Sequence, residues 1–126
     1  KFAAAFEEFK TSDEAVWQNH RDMLKGAKYL GQPYMVSEFG GALWAPQDGD
    51  ARWGYGNAPQ TEDEFYERYE GLVNVLLDHP KMCGFCYTQL TDVFQEKNGL
   101  LYFDRSEKFD AYRLKSINSR KAAVEE

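Results

Sequence analysis

Tyr34-Met35-Val36-Ser37-Glu38-Phe39-Gly40-Gly41 is the stretch on which the fold turns. After Gln32-Pro33, the apolar run Tyr34-Met35-Val36 has the character of a buried strand, and the glycine pair that closes it marks a loop. An acidic residue, Glu38, falls at the C-terminal end of that strand. Downstream, Met82 to Leu90 reads as a second buried strand, bounded by Pro80 and by the polar pair Thr91-Asp92. Between the two, Thr61 and Glu64 have capping-box spacing. Phe65, Tyr69, Leu72, Val73, Leu76 and Leu77 then recur at helical period until His79-Pro80 stops them, which predicts a helix over 62–79. Strands joined through such a helix run parallel, so the class is α/β.

Working outward, residues 13–25 carry Val16, Trp17, Met23 and Leu24 at helical positions behind a Thr11/Glu14 capping box, with Gly26 as the stop. Residues 42–60 hold Trp44, Pro46, Gly49, Trp53, Gly54, Tyr55, Gly56 and Pro59 without periodicity; unpatterned loops of this length in compact domains are usually functional or disordered, and the aromatic content argues against disorder. Asn98-Gly99 signals a turn, Leu100 to Phe103 a short apolar stretch, and about Glu107 to Ala123 a final helix. Two parallel strands cannot cover a sheet and close its edges, so the chain is expected to lean on further polypeptide or to associate with itself.

With 21 acidic and 15 basic residues and a net charge of −6, the 126-residue chain has no basic footprint for nucleic acid. No apolar run reaches membrane-spanning length, and Lys1-Phe2-Ala3-Ala4-Ala5-Phe6, followed at once by Glu7 and Glu8, does not read as a signal peptide. Aromatic residues make up 16% of the chain. Flat aromatic surface suits the apolar C–H faces of sugar rings, although core packing uses the same residues.

Several motifs dissolve on inspection. Cys83-Gly84-Phe85-Cys86 has redox spacing, but it lies in a strand reading and not at a helix N-terminus, so a structural role is expected. Asp48-Gly49-Asp50 is a turn, since Arg52 and Trp53 break calcium-loop spacing. Gly54-Tyr55-Gly56 lacks the third glycine and the preceding strand of a dinucleotide cradle. His20 and His79 have no partner at ligand spacing. No metal or cofactor is expected.

Pro33-Tyr34-Met35-Val36-Ser37-Glu38-Phe39-Gly40-Gly41 resembles the strand-seven segment of glycoside hydrolase family 2, where a Ser/Thr-Glu-aromatic-Gly run carries the nucleophile. Gly84-Phe85-Cys86-Tyr87-Thr88-Gln89-Leu90-Thr91-Asp92, with Asn98-Gly99-Leu100 and Asp104-Arg105 through Lys108, resembles that family's strand-eight segment and following loop. The resemblance spans roughly residues 28–112. It implies a fragment of a TIM (β/α)8 barrel covering about strand seven to helix eight. It implies Glu38 as the nucleophile of a retaining β-glycosidase, β-galactosidase-like, with a second carboxyl group about 5 Å away as acid/base. Trp44, Trp53, Tyr87, Asp92 and Asn98 are the substrate-binding residues it suggests.

Departures matter too. The family's acid/base sits in an Asn-Glu pair, and none occurs here: Asn19, Asn57, Asn74, Asn98 and Asn118 are followed by other residues. The chain is therefore expected to be inactive alone, its partners being a carbohydrate substrate and the remainder of the same polypeptide, barrel strands one to six and β-sandwich domains. Tyr87 stands where relatives commonly have a tryptophan sugar platform. Glu96-Lys97-Asn98 replaces the Asn-x-Lys triplet of glucuronide-cleaving relatives, which argues against a glucuronidase. The alternative from another class is a non-catalytic carbohydrate-binding or degenerate barrel module.

Overall fold

A computed structural model describes residues 30–46 and 57–126. The element order is β1 (Tyr34–Gly40), α1 (Glu62–Leu77), β2 (Met82–Thr88), α2 (Ala111–Asn118) and a 3-10 turn (Ala123–Glu125). The expected helix over 13–25 and residues 47–56 of the loop between β1 and α1 lie outside the described residues.

β1 and β2 pair in parallel, as the intervening helix requires. α1 begins where the sequence marks it. The Thr61 side chain accepts from the Glu64 amide at 3.1 Å, while the Glu64 carboxylate accepts from the Gln60 amide at 2.6 Å, one residue before its usual partner. Glu62, Asp63 and Glu64 fill the first turn, where the helix dipole favours negative charge. At the other end the Asp78 amide donates to Asn74 and Leu76 carbonyls, and Pro80 prevents continuation.

The core sits between the sheet and the helices and is largely aromatic. Phe65 stacks on Phe109 with centroids 3.8 Å apart and planes at 9°. Tyr66 and Tyr69 flank Phe65, and Leu114 and Ile117 of α2 close the cluster. Two hydroxyls anchor distant segments to α1: Tyr66 accepts from the Asp110 amide at 2.8 Å, and Tyr69 bonds the Asn118 amide group. Burial raises the pKa of both phenols, tempered at Tyr66 by the Asp110 amide and at Tyr69 by Asn118.

The expected barrel fragment is corrected here. The described residues form a mixed α/β unit of two helices and a two-stranded parallel sheet. That is too little to make the run from strand seven to helix eight of a closed barrel. The last helix shows one reason. It spans eight residues, Ala111–Asn118, and not the stretch from Glu107 to Ala123. Asp104 accepts from both the amide and the hydroxyl of Ser106, Arg105 takes a positive φ of 69°, and Asp110 caps the Tyr112 and Arg113 amides. Those local bonds hold residues 104–110 in turns, in competition with helix. Among the described residues no helix is long and apolar enough to cross a membrane.

Candidate functional site

The register of the two strands is interrupted twice. Tyr34 pairs with Met82 but Met35 with Gly84, so β2 gains a residue at Cys83. Val36 pairs with Phe85 but Phe39 with Tyr87, so β1 gains one back at Ser37-Glu38. The second irregularity is a bulge that re-phases the strand. Tyr34 and Val36 turn inward before it and Phe39 after it, while Ser37 and Glu38 are both exposed. A bulge re-aims side chains and recurs next to active sites. Here it takes Glu38 out of strand alternation and presents its carboxylate to solvent near the C-terminal end of the sheet.

Aromatic packing holds the bulge's far side. The Phe39 ring meets Phe85 and Tyr87 edge to face, each at 5.5 Å, and Tyr87 in turn meets Tyr69 of α1 at 5.1 Å. Gly40 has a φ of 90°, and a Cβ there would lie 2.2 Å from Tyr87 Cε2. The glycine is thus required by both backbone and ring. Tyr87 packs toward the helix layer. Its hydroxyl is buried without a hydrogen-bond partner. Burial raises the phenol's pKa well above the ordinary value, and the nearby Ala42 amide offsets this in part without reaching hydrogen-bond geometry.

The loop after β2 is built around a buried ion pair. Lys108 Nζ lies 2.6 Å from Asp92 Oδ1, with side-chain exposures of 0% and 3%. The same oxygen accepts from the Gly99 amide at 2.9 Å, and Lys108 also donates to the carbonyls of Lys97 at 3.2 Å and Gly99 at 3.3 Å. Asp92 is thereby occupied in fixing the loop. Gly99 fits only as glycine, because an added Cβ would sit 2.3 Å from the Asp92 nitrogen and the Thr91 carbonyl carbon. Asn98 is buried; its Oδ1 accepts from Gln89 Nε2 at 2.8 Å, and its Nδ2 has no partner.

Trp44 is 8% exposed and its ring lies 6.0 Å from Phe109, so the core takes most of its surface. Its amide donates to the Lys97 carbonyl at 3.0 Å, tying the segment after β1 to the loop after β2. Trp53 lies outside the described residues. Cys83 and Cys86 are free and exposed. Glu38, Tyr87, Asp92, Asn98 and Trp44 each fall at or beyond the C-terminal end of one of the two strands, with Glu38 alone of the five exposed.

Three residues not put forward as site residues prove structurally decisive. Lys108 neutralises Asp92, Gln89 orients Asn98, and Gly40 admits Tyr87. Only Gly40 leaves a sequence signal, as half of a Gly-Gly pair. Among the described residues no group of three or more potential metal ligands occurs. No protein-family model matches the chain, and no curated protein matches it significantly.

Proposed function

We propose that this chain supplies the nucleophile and part of the sugar site of a retaining, β-galactosidase-like glycoside hydrolase. The observation that supports it is Glu38, a carboxylate within a Ser-Glu-Phe-Gly run, exposed on a bulge at the C-terminal end of a parallel strand pair. The Glu38 carboxylate attacks the anomeric carbon and the glycosidic oxygen leaves with a proton from a second carboxyl group. Water then attacks the glycosyl-enzyme, giving its proton to that same group and releasing Glu38 with net retention. The second carboxyl comes from another segment of the polypeptide, so the chain by itself is inactive. Neither strand has a second neighbour among the described residues, and the outer edges offer that segment a place to pair.

The aromatic-surface module is the weaker reading. Trp44 and Tyr87, two of the rings that the resemblance assigns to sugar contact, are committed to the core.

Glu38→Gln in the full-length polypeptide tests the proposal. An amide keeps the shape but cannot attack, so turnover of an aryl β-glycoside falls by several orders of magnitude, while the melting temperature is unchanged because the side chain is exposed. Retained turnover removes Glu38 from the reaction.

A further inference from the structure

The loop after β2 exposes two aromatic rings where burial would be the ordinary outcome. Phe94 and Phe103 are 73% and 59% exposed, their centroids lie 5.7 Å apart and their planes meet at 45°. Phe94 is held there at a φ of 45°, a conformation that bulky residues rarely adopt. The surrounding loop leaves little freedom. Val93 and Glu96 exchange backbone hydrogen bonds at 3.0 and 2.8 Å, Leu101 donates to Leu90 at 2.8 Å, and Tyr102 donates to Ser106 at 3.0 Å. Beneath lies the Asp92–Lys108 pair. Exposed rings on a braced frame are pre-organised for a ligand with an apolar face, since little backbone entropy remains to be lost.

We infer that Phe94 and Phe103 form a stacking platform for a second sugar ring, on the leaving-group side of the bond cleaved at Glu38. The class of ligand rests on the glycosidase reading above. The position rests on the fold: the loop leaves the same end of the sheet that presents Glu38, and the Trp44–Lys97 bond ties it to the segment following β1. Chemistry narrows the occupant. A pyranose offers C–H faces to two tilted rings, and its hydroxyls can meet the exposed Asp104 and Arg105 beside Phe103. A net charge of −6 disfavours an anionic partner such as a phospholipid surface or a nucleic acid.

The test uses the full-length polypeptide and thio-linked β-disaccharides of gluco, galacto and manno configuration, which resist hydrolysis, against the matching methyl monosaccharides. Calorimetric titration is expected to show a disaccharide binding roughly tenfold tighter than its monosaccharide. Phe94→Gly and Phe103→Ser should each abolish that gain and leave monosaccharide binding in place. Phe94→Gly also relaxes the positive φ, so its melting temperature should not fall and lost binding cannot be put down to misfolding. Tyr112→Ala, at an exposed ring on α2, should change nothing. The inference is overturned if no disaccharide exceeds its monosaccharide, or if the gain survives both variants. It is equally overturned if the variants dissolve a dimer in sedimentation without altering sugar affinity, which would make the rings a protein contact. Glu38→Gln should leave the disaccharide gain intact, so activity retained in that variant would sink the nucleophile and not the platform.

Discussion

Asp92→Ala should undo the loop after β2, and the size of the loss follows from what the carboxylate holds. At 2.6 Å the Asp92–Lys108 attraction is about 6 kcal/mol at an effective dielectric constant of about 20, before the cost of desolvating both ions. That cost takes back most of the gain in the intact pair, but it remains in full when one partner is removed. Breaking a buried pair from one side costs about 3–5 kcal/mol. Asp92→Ala leaves the Lys108 ammonium with two backbone carbonyls and orphans the Gly99 amide. Lys108→Met leaves a buried carboxylate with the Gly99 amide as its donor, so its cost should fall in the same range. Replacing both, as Asp92→Leu with Lys108→Met, should cost clearly less than the sum of the single changes, because no lone charge is left inside. Urea denaturation followed by circular dichroism gives all the corners of the cycle. Single losses below about 1 kcal/mol, or strict additivity, would show that water reaches the pair and that it does not organise the loop.

Other consequences are more local. Gly99→Ala should destabilise by at least about 2 kcal/mol in the same denaturation assay, since the added carbon meets backbone atoms that cannot swing aside. Thr61→Ala should cost about 1 kcal/mol by removing the acceptor for the Glu64 amide at the start of α1. Stability should fall as pH rises above about 10, the ordinary tyrosine value. The folded Tyr87 phenol has a raised pKa and keeps its proton after the unfolded chain has begun to lose it. Tyr87→Phe should flatten that alkaline decline, and at neutral pH should change stability by less than about 1 kcal/mol, because the buried hydroxyl has no hydrogen bond to lose.

What the sequence showed plainly was whatever local periodicity and capping decide. α1 is framed by Thr61, Glu64 and Pro80, and its buried residues match the helical pattern with Tyr66 added and Leu72 only half-buried. The parallel pairing of β1 and β2 follows from the helix between them. Register was harder to read, because it depends on which residues oppose one another across some 48 positions of chain. The change of parity from Tyr34 and Val36 to Phe39 was the available sign of the bulge at Glu38, and it was visible only as one misplaced aromatic. Lys108 could not have been paired with Asp92 by spacing, since an ion pair between loops obeys no period. The aromatic content misled in part. Trp44, Tyr66, Tyr69 and Phe109 build the core, and the rings left outside, Phe94 and Phe103, belong to the loop after β2. The barrel expectation came from resemblance alone, and the described residues form a two-stranded parallel sheet with no closed ring.

The account stands on Glu38, and covalent trapping addresses it directly. The full-length polypeptide, incubated with a 2-fluoro β-glycoside bearing an activated leaving group and then digested, should yield one peptide heavier by a fluorosugar, with fragmentation placing the sugar on Glu38. A label on any other residue, with Glu38 unmodified, would contradict the assignment.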